Sequence, residues 1–523
     1  MGNNTPSDQF PTTLADLAYH LPDAETNQSF YHTLSALRKS TLSISNRLKS
    51  VLQDADFVEA LHKSLSPRAT SAEKSSSSPL WPLIPNERSG SWPLDPELKA
   101  YSQAPYISNS NSDQNRHPVS AYFKSTDGHI SQWAFSLRRL NLPVLGMLGQ
   151  AGTCSCGCIL IDTTRRGKSY PDALRRTVPI WCAVWNKLLF PELQDSGICD
   201  FQGFRLDDGE VSQIAARIPG FVSDLKTLGL NLKGLRDKAQ SPIRCVWISQ
   251  PARKQDWNSC FDDLRERIED ERRYWREKAK VGNVDILVCC SASRQVLGAE
   301  MSDDNYIQGA GDDTEHWSHG LTAKSFWDNK ERLMNATRHA SEDDMEELVK
   351  QVVAEGKAAA SKNIPTATHI TPTDNLFLVS ASDVDIVQTL NQFDLVVDCN
   401  ADTGDQKAKW VCLGCKEGKL GSRALREKLP QVQETVEQVL RKNRSARILV
   451  RCASGRDLSV GTLLVLLCCF FDQQGKVGFA SDTRIDKQFI RQRLAWITSS
   501  KPDANPSRTT LQAVNAFLMN RPD

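Results

Sequence analysis

Between Ile448 and Gly461 the chain reads ILVRCASGRDLSVG. An apolar strand runs into Cys452, a short polar loop follows, and an apolar helix begins near Val460. Backbone amides of a tight turn at a helix N-terminus attract a tetrahedral phosphate, and the same partial positive charge lowers the pKa of a thiol beside it. Cys452, Ser454, Gly455, Arg456, Asp457 and Ser459 are therefore candidate phosphate-binding residues, with Ser459 placed to hydrogen-bond the thiol. The bland alternative is a glycine turn beside a buried cysteine.

The spacing resembles the loop of cysteine-dependent phosphatases, with two departures. The arginine position is Leu458, and the histidine that usually precedes the cysteine is Arg451. A bidentate guanidinium clamp on the phosphate oxygens supplies much of the transition-state stabilisation in phosphoryl transfer. Its loss argues for binding without hydrolysis, with Arg456 as a replacement charge.

A second loop has a similar layout. Ile159 to Ile161 form an apolar strand, and Asp162, Thr163, Thr164, Arg165, Arg166, Gly167 and Lys168 follow before a helix. Basic and hydroxyl side chains past a strand's carboxyl end suit an anion; a solvated basic turn is the alternative. Gln308 to Gly320 gathers acids, imidazoles and glycines. There Asp312 and Asp313 are expected to hold Mg²⁺ through oxygen ligands, and His316 and His319 to carry protons. Lys124, Asp127 and His129 form a further polar turn. Cys154, Cys156 and Cys158 alternate along a strand, and Cys412 with Cys415 make one C-x₂-C. Buried thiols are the favoured reading over zinc.

A chain of 523 residues exceeds one hydrophobic core, so two large domains are expected. Lys plus Arg (64) nearly balance Asp plus Glu (63), which removes any global pull toward nucleic acid or membrane and leaves only local basic patches. Fifteen cysteines without a secretory leader argue for reduced thiols and a cytoplasmic protein. The longest apolar run is too short for a bilayer, so no membrane partner is expected.

The spacing predicts a helical arm over Gln28 to Leu65 and a Ser-rich linker over Ser66 to Pro79, giving an arm-and-linker region at 1–80. An N-terminal mixed α/β domain is expected at 81–368, with strands and loops over Trp81 to Ile159 and a strand at Val284 to Cys290. A C-terminal dual-specificity-phosphatase-like α/β domain is expected at 369–523, with a largely parallel sheet.

Several segments in order resemble the fungal and plant initiator-tRNA 2′-O-ribosyl phosphate transferase family. They are Asn86 to Trp92, Phe123 to His129, Ile161 to Lys168, Pro171 to Leu174, Pro179 to Cys182, and Gln308 to Asp313 before His316 and Trp317. The resemblance implies transfer of 5-phosphoribosyl from phosphoribosyl pyrophosphate, with Mg²⁺, to a ribose 2′-hydroxyl in the T stem of initiator tRNA. It implies a base among Asp127, His129 and Asp162; no obligate protein partner is predicted. The alternatives are a phosphate-binding pseudophosphatase scaffold and an active cysteine phosphatase.

Overall fold

The structure is a computed structural model that describes residues 42–66, 80–107, 118–125, 133–193, 208–278, 283–298, 301–302, 304–360, 367–380, 392–402, 409–478, 485–501 and 503–519. The N-terminal half is built on a parallel four-stranded sheet in the order β1-β2-β4-β3, where β1 is Leu83–Pro85, β2 Cys158–Asp162, β3 Ile243–Ser249 and β4 Asp285–Ser291. β2 and β4 are buried along their whole length, as near-continuous apolar strands covered on both faces should be. The chain steps from β2 over β4 to β3 and then back to β4. Right-handed crossovers therefore put the β2–β3 helices and the β3–β4 helix on opposite faces. The crevice where these connections part is at the carboxyl ends of β2, β4 and β3, where open α/β sheets bind ligands.

The strand-and-loop reading of Trp81 to Ile159 is corrected. Among the described residues before β2 begins at Cys158, β1 is the one strand, and two helices, Pro96–Ile107 and Leu142–Thr153, occupy much of the rest. Pro96 and Pro143 are the signal: proline fits the first turn of a helix, where its missing N–H leaves no bond unmade. β3 is a strand without an expectation behind it, an apolar run bracketed by Pro242 and Pro251.

The described part of the expected helical arm is a helix, α1 (Ile44–Leu65), and it packs against the body: it buries Ile44, Leu48 and Val51 in one apolar cluster and Phe57, Val58 and Leu61 in the main N-terminal core. Asp54 on this helix is fully buried, accepting from Tyr306 Oη at 2.6 Å and Ser293 Oγ at 3.3 Å. Burial raises its pKa well above the usual carboxylate range, against the opposing pull of those hydrogen bonds. Residues 28–41 and most of the Ser-rich linker lie outside the described residues.

Asp285 opens β4 with both carboxyl oxygens buried and without a hydrogen-bond partner among the described residues. Burial pushes its pKa up to about 8, Arg272 opposing. A raised pKa adds stability below the unfolded value, near 4, that is lost as pH rises toward 8. Asp285→Asn should therefore stabilise the protein by roughly 2–4 kcal/mol near pH 7–8. Thermal melts should show that gain shrinking toward pH 4; a pH-independent difference would contradict it.

The C-terminal half is a five-stranded sheet in the order β5-β6-β9-β7-β8, parallel except for β5. β5 is Thr368–His369, β6 Leu376–Ser380, β7 Leu395–Asp398, β8 Trp410–Cys412 and β9 Ile448–Cys452. Helices Gly418–Lys442, Leu458–Phe470, Lys487–Ser500 and Arg508–Leu518 complete it, and Leu458–Phe470 is buried nearly all round. The two halves touch: Ala495 joins the N-terminal core, and Gln488 donates to the carbonyl of Thr227. Cys412 and Cys415 lie buried in the C-terminal half, whereas Cys156 and Cys158 belong to the N-terminal core. No group of three or more potential metal ligands occurs among the described residues. Nor is any described helix long and apolar enough to cross a membrane.

Candidate active site

Asp162 closes β2 with its carboxylate wholly buried. Its Oδ1 accepts from Arg88 Nη2 at 2.7 Å, Ser89 Oγ at 2.9 Å and its neighbour's amide, Thr163 N, at 2.8 Å. Its Oδ2 accepts from Asn86 Nδ2 at 2.7 Å and Arg88 Nε at 3.4 Å. Five donors hold the carboxylate of Asp162 in place at the end of β2. Asn86 also clamps Phe123 in both directions, accepting from its N–H at 2.8 Å and donating to its carbonyl at 3.1 Å. That fixes the chain entering the exposed Lys124, whose carbonyl accepts from Thr177 Oγ1 at 2.8 Å. Asp127 and His129 lie outside the described residues.

Arg88 is the hub. Beyond Asp162 it donates from Nη2 to the carbonyl of Thr163 at 2.8 Å and from Nη1 to Asp312 Oδ1 at 2.9 Å. Arg165 continues the chain of charges, lying 3.9 Å from Asp312 Oδ2 and 2.5 Å from Asp313 Oδ1. Burial pushes the Asp312 carboxyl up to about 6; Arg88 and Arg165 pull it down and Asp162 pushes it up. These contacts correct the metal reading. Mg²⁺ needs an octahedron of oxygens and waters, and here guanidinium nitrogens occupy the space beside both carboxylates. Asp312 and Asp313 do not fit a resident Mg²⁺.

The segment read as a metal site is instead a clamp on the basic loop. Gln308 Oε1 accepts from Gly167 N and Val296 N at 3.0 Å each, while Nε2 donates to the carbonyl of Lys168 at 2.7 Å. Gly309 passes so close that a Cβ there would sit 2.5 Å from the Thr164 carbonyl oxygen. Arg166 and Gly167 both take positive φ, and Arg166 is exposed. Lys168 Nζ lies 3.4 Å from Asp172, and the Thr164 amide donates to Ser293 Oγ at 3.3 Å. His319 faces Glu346 at 3.7 Å instead of the crevice.

At the Cys452 loop the expected strand, loop and helix are in place. Cys452 ends β9, and its Sγ lies 3.0 Å from Ser459 Oγ and 3.8 Å from Ser454 Oγ. Leu458 is buried in the core, so the clamp position points away from any phosphate. Arg451, in the histidine position, is buried too and donates from Nε to Asp398 Oδ2 at 2.6 Å. Three loop amides are engaged: Ala453 N by Asn400 Oδ1 at 2.6 Å, Gly455 N by the Cys452 carbonyl at 3.1 Å and Arg456 N by Ser454 Oγ at 3.2 Å. Gly455 has positive φ, and a Cβ would meet Ser380 backbone at 2.9 Å. Asp457 Oδ1 accepts from Ser507 N at 2.8 Å. Arg456, the replacement charge, pairs with Asp503 at 3.0 Å instead of turning over the thiol. Arg139 of the N-terminal half is close enough for Asp503 and Arg456 to act on its charge, although burial dominates in lowering its pKa.

The chain is an α/β protein whose C-terminal half carries a phosphatase-like loop with a buried leucine at the arginine position. Residues 37–354 match the model of the Rit1 N-terminal domain and residues 409–518 that of the Rit1 DUSP-like domain; the chain belongs to the Rit1 family. It is 30% identical over 490 residues to an uncharacterized protein of Schizosaccharomyces pombe, covering 91% of this chain and 94% of that one. It is 29% identical over 550 residues to the tRNA A64-2′-O-ribosylphosphate transferase of Saccharomyces cerevisiae, covering 98% of each. Among solved structures, the Yvh1 phosphatase domain from Chaetomium thermophilum matches 30% of this chain and 98% of its own, at 16% identity and TM-score 0.24. A leucine rich repeat and phosphatase domain containing protein from Entamoeba histolytica matches 30% and 92%, at 11% identity and TM-score 0.23.

Proposed function

We propose that the protein is a phosphoribosyl-type glycosyltransferase that adds 5-phosphoribosyl, from phosphoribosyl pyrophosphate, to the 2′-hydroxyl of the purine at position 64 in the T stem of initiator methionine tRNA. It works in the cytoplasm, and the mark excludes this tRNA from elongation. The observation that carries the reading is the end-to-end similarity to the budding-yeast transferase, across both halves of the chain.

In this reading the bond from C1 of the donor to pyrophosphate breaks, and its electron pair leaves with the pyrophosphate. The tRNA 2′-oxygen attacks C1, and its proton passes to a carboxylate. Asp312 is the base we favour: Arg88 fixes it, and a pKa of about 6 suits proton transfer near neutral pH. Thr164, Arg165, Arg166, Gly167 and Lys168 seat the pyrophosphate. Magnesium enters as the counter-ion of that pyrophosphate, part of the substrate. Lys124 and the Cys452 loop, with Ser454, Gly455, Arg456, Asp457 and Ser459, face the tRNA backbone. A paired stem is read through its shallow minor groove, where the 2′-hydroxyl lies. Incubating protein, Mg²⁺, donor and initiator tRNA should release pyrophosphate and add one ribosyl phosphate per tRNA; an unmodified tRNA would overturn the proposal.

The thiol–hydroxyl contact of Cys452 and Ser459 favours a second reading, a cysteine phosphatase, and the burial of Leu458 opposes it. Cys452→Ser should leave transfer within about twofold of wild type. A tenfold fall in transfer would give the thiol a part in the reaction.

A further inference from the structure

The carboxyl edge of the N-terminal sheet carries polar atoms that the network around Arg88 does not use. Register pairs Asp162 with Ser291 and Ser291 with Ser249. The ladder runs one residue further, Ala292 N donating to the Asp162 carbonyl at 2.9 Å and Gln250 N to the Ser291 carbonyl at 3.2 Å. Thr163, Ala292 and Gln250 thus form the next row, on one face of the sheet. Thr163 and Ala292 are fully buried and Gln250 is 4% exposed. Thr163 Oγ1 and both amide atoms of Gln250 find no hydrogen-bond partner among the described residues.

A buried polar atom left unpaired is destabilising, and native folds keep few of them. Here several gather at the crevice where α/β sheets bind ligands. The middle residue of the row, Ala292, has only a methyl group, so the row is short between two polar flanks. Those flanks stand two strand spacings apart, roughly 10 Å. A glutamine amide offers two N–H donors and a carbonyl acceptor, and a threonine hydroxyl both donates and accepts. Neutral groups of this kind match sugar hydroxyls, whereas a phosphate would call for cations. Arg88 donates to the Thr163 carbonyl, so the row is continuous with the charged site.

We infer that Gln250 and Thr163 read the ring hydroxyls of the donor ribose, with Ala292 as the floor beneath the sugar. The inference rests on the proposed transferase function. Gln250 is then a specificity residue for ribose over deoxyribose, beside the phosphate-binding loop.

The test is calorimetric titration of the full chain with phosphoribosyl pyrophosphate and with its analogue lacking the 2- and 3-hydroxyls. Wild type should bind the analogue about 10- to 100-fold more weakly. Gln250→Leu should bind the natural donor weaker by a similar factor and lose most of the discrimination, while its unliganded melting temperature stays level or rises. Thr163→Val should behave alike, which keeps the test informative should the leucine variant fail to fold. Donor binding that both variants leave unchanged would overturn this inference only, assigning the unpaired atoms to buried water. Wild type that binds no donor would overturn the transferase reading with it.

Discussion

Arg88→Ala should lower ribosyl transfer by about 10²- to 10³-fold, the scale of losing a preorganised charge in a site, and should destabilise the fold by roughly 3 kcal/mol. The two effects have one cause. Arg88 is 12% exposed and holds both the buried Asp162 and the half-buried Asp312. Removing it leaves Asp162 charged and buried with only the Asn86, Ser89 and Thr163 donors. Asp312 loses its strongest stabilising partner, so its pKa rises further above 6 and the remaining activity moves to higher pH. Arg88→Lys keeps the charge but not the fork that reaches both carboxylates, so it should recover stability better than rate. Chemical denaturation and a pH–rate profile check both parts. An alanine variant with lowered stability and an unshifted pH profile would reduce Arg88 to a structural role.

The second large effect belongs to Asp312. As the proposed base it must be ionised to take the 2′-hydroxyl proton, so transfer by wild type should climb with pH around a midpoint of about 6. Asp312→Asn should erase that limb and cut the rate by about 10²- to 10⁴-fold, the usual range for general-base removal. Stability runs the other way. A carboxyl whose pKa is raised on folding contributes stability below its unfolded value, and that contribution fades as pH rises from about 4 to 6. A variant that keeps the acid limb would pass the base role to another group.

The Cys452 loop was legible because its determinants sit within eight consecutive residues, where strand, glycine turn and apolar helix follow one another directly. β2 and β4 were legible for the same reason, as short apolar runs. The knot at Arg88 was not, because its partners lie 74 and 224 residues away. Without knowledge of the fold, Asn86 to Trp92 reads as a turn and the pair Asp312–Asp313 as a metal site, since the guanidinium groups that neutralise those acids arrive from other segments. Local spacing likewise could not reveal that Asn400 fills part of the Cys452 turn, or that Gln250 ends its strand beside Thr163. The helices at Pro96–Ile107 and Leu142–Thr153 were hidden by prolines and glycines that look like loop punctuation when the capping position is overlooked.

The central claim is that the chain modifies one ribose of initiator tRNA, and mass spectrometry of nuclease digests tests it most directly. After incubation with phosphoribosyl pyrophosphate, the account predicts one added ribosyl phosphate on the position-64 nucleotide. A tRNA carrying 2′-deoxyribose at that position should gain none. Addition elsewhere, addition to the deoxy substrate, or an unmodified tRNA in the presence of bound donor would contradict it.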